Sequence, residues 1–353
     1  MSSTKIIKVD PKNPEDKHLW GAAEAIKNGG LVIIPTETVY GIAANGLNQK
    51  TLERLYEIKK RTKDKPLSLH IANKEKVEEL ASGITPAAYR LMDKFWPGPL
   101  TVVLNSKEKG SLGIRMPDNR IALEIIRQAG VPVVCPSANI SGEKPPVTFE
   151  EAIKDLDGLV DLAVNSGPTE HKAESTIVDL TSEGAKIIRE GAIKKNEIEA
   201  VAGRKRVLFI CTGNSCRSVM AEALLKKKLK EKGRDDVEVI SAGILLLGGL
   251  GASEGTREVL SKAGIDVSEH RSQPVTKEMI RRSDLILVME KIHEEEIVKI
   301  APDAKNRVFL LKEFAKINDE DLDIHDPLGH SLDYYENIYY TIKEAVERIS
   351  AIL

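Results

Sequence analysis

The sequence predicts an α/β protein of two domains, and three observations carry that expectation. At 353 residues the chain is long for one domain and comfortable for two. Apolar runs of strand length alternate along it with amphipathic helical patterns. Residues 207–218, VLFICTGNSCRS, read as the first strand and loop of a domain although they lie past position 200.

Composition narrows the class. Charged residues make up 30% of the chain and the formal net charge is -2, so no global basic field advertises nonspecific nucleic-acid binding. Residues 1–10 carry lysines and no apolar core of a leader peptide. No window approaches eighteen uncharged apolar residues, so a cytoplasmic protein without membrane contact is expected. The three cysteines, Cys135, Cys211 and Cys216, are too few for a disulfide scaffold. No Cys/His spacing predicts a metal ligand set from the protein, and no bound redox cofactor is expected.

In chain order, residues 20–28 have helical apolar spacing, Gly29 and Gly30 end that helix, and residues 31–34 form a strand. The loop after it, PTETVYG, offers the hydroxyls of Thr36 and Thr38 either to a small polar ligand or to local backbone groups. A helix over residues 52–60 runs into KKRTKDKP, where Pro66 forbids its continuation. Cations there suit a helix C-terminus, and Lys59, Arg61 and Lys63 could equally clamp a polyanion. A short strand ends near His70. FWPGPLTVVL joins a Pro/Gly turn to a strand, and SLGIRMP sets Arg115 between Ile114 and Met116, where a buried guanidinium requires a carboxylate or phosphate. The strand 131–134 leads into a loop with Ser137, Asn139, Ser141 and Gly142, on the usual ligand side of an α/β sheet. ESTIVDL adds Ser175 and Thr176; Arg189 and Gly191 close the region.

The ordered series PTETVYG, KKR, PLSLH, FWPGPLTVVL, GIRMP, PSAN, STIVD and RxGAI resembles the YrdC family of threonylcarbamoyl-AMP synthases across residues 10–193. The resemblance implies a twisted-sheet α/β domain over residues 1–195. It implies condensation of L-threonine, bicarbonate and ATP into threonylcarbamoyl-AMP and pyrophosphate for the modification of tRNA, with tRNA or tRNA-modification proteins as partners. Carried over residue by residue, ATP falls to Lys59, Arg61, Lys63, Ser111, Ser137, Asn139 and Arg189, and threonine to Thr36, His70, Arg115 and Ser175. Mg²⁺ is expected to accompany the triphosphate. Where relatives carry a Ser after the SxN element, this chain has Pro145 and Pro146, which puts one nucleotide contact in doubt.

Residues 196–205 are charged, poor in aromatics and expected as a short linker or connecting helix. From residue 206 to 353, strand-like segments at 207–210, 237–241, 285–289 and 308–311 alternate with helical ones, which predicts a small doubly wound parallel sheet; a last amphipathic helix spans 334–349. In VLFICTGNSCRS the strand, Gly-containing loop and helix N-terminus make a phosphate site, with Arg217 as a bidentate fork and Cys211 as nucleophile. Together with VISAG, GIDVSEHRS, SDLILVM and DPLGHSLDYY, the segment resembles low-molecular-weight protein tyrosine phosphatases. That resemblance makes Cys211, Arg217 and Asp326 the catalytic set, acting through a cysteinyl-phosphate on a phosphorylated protein, with Gly213, Asn214, Ser215, Cys216 and Ser218 supporting the loop. Cys216 is either a redox partner of Cys211 or inert. No cysteine follows Cys216, which argues against a thioredoxin-coupled arsenate reductase. Ser215 is polar where tyrosine phosphatases usually carry an apolar residue, and CTGNSCRS with DPLGHSLDYY resembles bacterial protein-arginine phosphatases; together they incline the substrate toward phosphoarginine. The competing expectation is an RNA-binding first domain joined to a regulatory or phospho-sensing second one.

Overall fold

The computed structural model describes residues 3–353 apart from positions 183 and 247. Contacts divide the chain into two units that meet between Ala202 and Gly203.

In the first unit a mixed sheet, eleven-stranded among the described residues, runs in the order Lys5–Lys8, Leu162–Asn165, Val32–Ile34, Gly41–Asn45, Val133–Val134, Leu69–His70, Ser111–Arg115, Leu100–Ser106, Thr176–Asp179, Lys186–Arg189, with Ala81–Ser82 beside Leu100–Ser106. Successive residues of a strand face opposite sides, and the sequence uses that period. Leu31 and Ile33 enter one core with Tyr40, Leu55, Leu91, Trp96 and Val102. Val32 and Ile34 enter another, beneath the helices Asp16–Lys27 and Arg120–Ala129. The first of these helices buries Leu19, Ala22, Ala23 and Ile26, a stripe of helical period. The second starts on an Asn119 side-chain cap and stops at Gly130 with φ 64°.

The helix expected over 52–60 runs from Gln49 to Ile58. Asn48 moves its start forward by accepting from the Thr51 amide, and Lys60 at φ 48° closes the turn behind Lys59. Of the two forms expected for residues 196–205, the helix is the one present: Lys195–Ala202 is a helix of the first unit, because Ile198 buries completely in that unit's core. Only residues 203–204 separate it from the next strand, which begins at Lys205.

The second unit holds a four-stranded sheet, all parallel, ordered Val237–Gly243, Lys205–Cys211, Leu285–Val288, Val308–Leu310. Val207, Phe209 and Cys211 face a core with the helices Arg217–Glu231 and Leu332–Ile349. Leu208 and Ile210 face another with Ile280, Ile286 and Ile297. Helices therefore cover both faces, and the loop after the central strand opens at the carboxyl edge of the sheet, where ligands bind in such folds. Among the described residues no helix is long and apolar enough to cross a membrane.

Candidate active sites

Strand ends and the loops that leave them build one cleft in the first unit. Thr36, Arg61, His70, Arg115, Ser137, Ser175 and Arg189 line it, with Tyr40, Ser68, Thr101 and Glu174 among their neighbours. Seven of the eleven residues expected to bind ATP or threonine thus meet there. Lys59 and Asn139 sit behind the lining, whereas Lys63 and Ser111 are exposed and outside it.

Arg115 is the most constrained of these groups. Its Nη2 donates to Glu37 Oε1 at 2.6 Å and to Thr38 Oγ1 at 2.7 Å, and the Arg115–Glu37 pair is almost wholly buried. The carboxylate that a buried guanidinium needs therefore comes from the chain, while Arg115 Nε is buried without a partner among the described residues. Thr36 Oγ1 donates to the Val39 carbonyl at 2.6 Å and holds the PTETVYG turn. His70 is buried beside Arg115; desolvation, then that positive charge, push its pKa down to about 3, so it is a neutral ring. Arg189 pairs with Glu174 and donates from Nε and Nη2 to the Ser175 carbonyl at 3.1 and 2.9 Å. Ser175 Oγ lies 2.9 Å from Thr101 Oγ1.

Lys59 turns inward. Its Nζ donates to the carbonyl oxygens of Ser137 at 2.5 Å and Asn139 at 2.6 Å, so it ties the PSAN loop to the preceding helix. Burial, and then the neighbouring Arg61 charge, lower its pKa to about 8. In the same loop Asn139 Oδ1 and Ser141 Oγ are buried with no partner among the described residues. Pro146 contributes its carbonyl to the Tyr40 amide at 2.9 Å, a backbone role that a proline fills as well as a serine. Gly191 closes the cleft from behind: a Cβ there would press on the Glu174 carbonyl and lie 2.7 Å from the Ser175 carbonyl carbon. Gly191→Ala is expected to cost about 2 kcal/mol, read as a lower first-unit transition in thermal unfolding, because two backbone segments cannot separate without losing strand pairing.

Glu37, Tyr40, Ser68, Thr101 and Glu174 were not expected as site residues. Only Glu37 had a usable signal, the unmet need of Arg115 for a carboxylate. The others are brought in by strand pairing across the sheet.

In the second unit the helix Arg217–Glu231 starts directly behind the loop, so its first amides lack partners within the helix and face the bend. Asn214 holds the bend at φ 52°, a region asparagine tolerates. Its Nδ2 donates to Ser218 Oγ at 3.0 Å and Ser241 Oγ at 2.7 Å, and its Oδ1 accepts from the Gln273 amide at 3.0 Å. Ser218 Oγ lies 3.0 Å from Cys211 Sγ. The loop packs so closely on the end of the neighbouring strand that a Cβ at Gly243 would lie 2.7 Å from the Thr212 carbonyl oxygen.

Arg217 has no exposed side-chain surface. Its Nη1 donates to Glu290 Oε2 at 2.5 Å and the Ile324 carbonyl at 2.7 Å, and its Nη2 to Asp326 Oδ2 at 2.5 Å and Thr212 Oγ1 at 3.1 Å. Arg217 Nε is buried and unpartnered among the described residues. Cys211 and Arg217, six residues apart on the loop, are thus joined there by Asp326 from 109 residues further along the sequence. Cys216 Sγ faces hydroxyls of Ser253 at 3.1 Å and Tyr335 at 3.7 Å, and the half-buried Ser215 has its Oγ 3.6 Å from that sulfur. Glu290, His293, Thr212, Ser241 and His270 complete the surroundings without having been expected.

Fold and sites together define a chain of two α/β domains, each gathering its cationic and hydroxyl side chains at loops that leave the sheet. A family model described as "Telomere recombination", that of Sua5, YciO and YrdC, matches residues 24–191, and one described as "Low molecular weight phosphotyrosine protein phosphatase" matches residues 206–353. The threonylcarbamoyl-AMP synthase of Bacillus subtilis is 38% identical over 204 residues, 55% of this chain and 59% of that protein. A Methanocaldococcus jannaschii protein, "Putative threonylcarbamoyl-AMP synthase", is 38% identical over 54% of this chain and 94% of its own length. A Ralstonia nicotianae protein, "Probable low molecular weight protein-tyrosine-phosphatase EpsP", is 41% identical over 40% of this chain and 92% of its own. The solved structure of Pyrococcus abyssi Sua5 complexed with L-threonine is 28% identical at a TM-score of 0.55, covering 87% of this chain and 99% of that one. The chain belongs to the Sua5/YciO/YrdC family in its first unit and to the low molecular weight phosphotyrosine protein phosphatase family in its second. It spans only about three fifths of the B. subtilis synthase and of a second such protein from P. abyssi, at 59% and 62% of their lengths.

Proposed function

We propose that the protein is a bifunctional enzyme. The first unit, residues 1–195 as the catalytic domain, makes threonylcarbamoyl-AMP from L-threonine, bicarbonate and ATP for tRNA modification. The second, residues 206–353, dephosphorylates proteins, phosphoarginine ahead of phosphotyrosine. The observation that carries this is the convergence of separately encoded motif residues onto one cleft and one loop.

In the cleft Arg115, aided by Thr36 and Ser175, receives the threonine carboxylate through its spare Nε. Arg61, Arg189 and Ser137 face the triphosphate, while Lys59 and Asn139 hold their loop in place from behind, the Asn139 Nδ2 donating to the Ile140 and Glu143 carbonyls. Neutral His70 offers a hydrogen bond without repelling the substrate's ammonium group. Threonine's ammonium loses a proton, and the free amine then either adds to carbon dioxide with loss of a second proton or condenses with bicarbonate with loss of water, giving the carbamate; a carbamate oxygen then attacks the α-phosphorus in line and pyrophosphate leaves. Catalysis here is positioning and charge neutralisation. Among the described residues no group of three or more His, Cys, Asp or Glu is placed to hold a metal ion. Mg²⁺ brought with the triphosphate would supply charge neutralisation there. Binding of threonine by the Sua5 structure from P. abyssi supports the assignment of this pocket.

In the second unit the Cys211 thiolate attacks phosphorus while Arg217 and the loop amides hold the equatorial oxygens. Asp326 protonates the leaving oxygen or nitrogen. It then takes a proton from water, which attacks the cysteinyl-phosphate and frees inorganic phosphate and the thiolate. Ser215 favours phosphoarginine because its hydroxyl can bond the polar guanidino group where an apolar side chain would suit a phenyl ring.

Purified protein should release pyrophosphate only when ATP, threonine and bicarbonate are all present; release without threonine would refute the synthase assignment. A hydrolysis panel of phosphoarginine and phosphotyrosine peptides tests the second activity, and a strong preference for phosphotyrosine would reverse the order given. Both activities are placed in the cytoplasm, where ATP and tRNA are.

A further inference from the structure

Arg217 has five N–H donors, and the structure accounts for four of them. Glu290 and the Ile324 carbonyl take both protons of Nη1. Thr212 Oγ1 and Asp326 Oδ2 take both of Nη2, and only Nε is left over. A phosphate oxygen pair gripped by a guanidinium edge needs Nε–H and one Nη2–H. One of the two Nη2 partners must therefore yield when substrate binds.

The surroundings decide which. Thr212 Oγ1 has a second neighbour, His293 Nε2, at 3.0 Å. His293 is fully buried, and its Nδ1 accepts from the Glu290 amide at 3.0 Å, so the ring proton resides on Nε2 and points at Thr212. Burial, and then the charge of Arg217, push the His293 pKa down to about 4, which keeps the ring neutral and the tautomer single. The Thr212 oxygen thus accepts two hydrogen bonds and is held from two sides. Asp326 is more than one-third exposed at its side chain and, among the described residues, is otherwise held by the Leu328 amide alone, 3.0 Å from Oδ1. It must also leave the guanidinium to reach the leaving group.

We propose that Thr212, locked by His293, is a positioning residue of the phosphatase site: it keeps its Nη2 proton and fixes the plane of the guanidinium while Asp326 exchanges its own for a phosphate oxygen. This rests on the phosphatase reading of the second unit. Arg217 then presents a bidentate edge at once, and Asp326 is released toward the leaving group by the binding event itself.

The test uses the full chain with Thr212→Val, Thr212→Ser, His293→Leu and the Val/Leu double variant. Two readouts are taken: kcat/KM for para-nitrophenyl phosphate, and inorganic phosphate binding by calorimetry, which needs no turnover. Thr212→Val is expected to weaken phosphate binding and lower kcat/KM about tenfold, the worth of one hydrogen bond to a charged group. Thr212→Ser should restore most of both. His293→Leu should lose at least as much as Thr212→Val, since it also removes the acceptor of the Glu290 amide, and the double variant should be no worse than His293→Leu alone, because the Thr212 contact is already gone there. Phosphate binding by Thr212→Val equal to wild type, or losses that multiply in the double variant, would overturn the proposal. The phosphatase reading fails separately, by an absence of Cys211-dependent hydrolysis in the wild-type chain while phosphate binding still reports on Thr212.

Discussion

Cys211→Ser is expected to lower hydrolysis of para-nitrophenyl phosphate by at least about 10³-fold, with pyrophosphate release by the first unit unchanged. The alcohol keeps the 3.0 Å contact to Ser218 and the packing of the strand end, so the loss isolates the nucleophile. Phosphate should still bind, because Arg217 and the loop amides remain. Asp326→Asn provides the companion: the proton donor is lost while the contact to Arg217 Nη2 can persist through the amide oxygen. Both variants are read by steady-state kinetics in the full chain. Cys211→Ser activity within tenfold of wild type would refute the covalent route.

The second large effect is expected at Arg115. Arg115→Ala removes the partner of Glu37, a carboxylate with almost no exposure, and strands a buried charge at a cost of about 3–5 kcal/mol. It should abolish threonine-dependent pyrophosphate release, a loss on the order of 10³ in kcat/KM for threonine. Stability and binding are separated by the double variant Arg115→Met with Glu37→Gln, which replaces the ion pair by groups of similar volume. That variant should regain much of the unfolding temperature and none of the activity. Threonine-dependent turnover in the refolded double variant would show that Arg115 serves the fold alone.

The sequence made most of this architecture legible because the cores are built from regular periods. The alternation of residues 31–34 between two cores, and of residues 207–211 between two others, is visible as an apolar run bounded by turn residues. Ends of elements were less legible. The Asn48 cap and the positive φ of Lys60 shifted one helix by a few residues, and the burial of Ile198 decided between a linker and a helix before the second unit. Those outcomes depend on local hydrogen bonds and on one buried side chain, which composition does not weigh.

The sites divide in the same way. Cys211, Asn214, Arg217 and Ser218 lie within eight residues and follow a strand, so spacing alone places them on one loop. Arg115 could be recognised as a buried charge requiring an anion. That the anion is Glu37, that Lys59 holds carbonyls while Arg61 lines the cleft, and that Lys63 and Ser111 stand outside it were settled by strand order and helix ends. So was the enclosure of Arg217 by Glu290, Thr212 and Asp326, which lie 73, 5 and 109 residues away. The sequence by itself determined two α/β domains, their motif residues and the chemistry those side chains can perform. Only the tertiary structure decided which donors are already engaged and which remain for substrate, because hydrogen-bond partners are assigned by distance in space and not by separation along the chain.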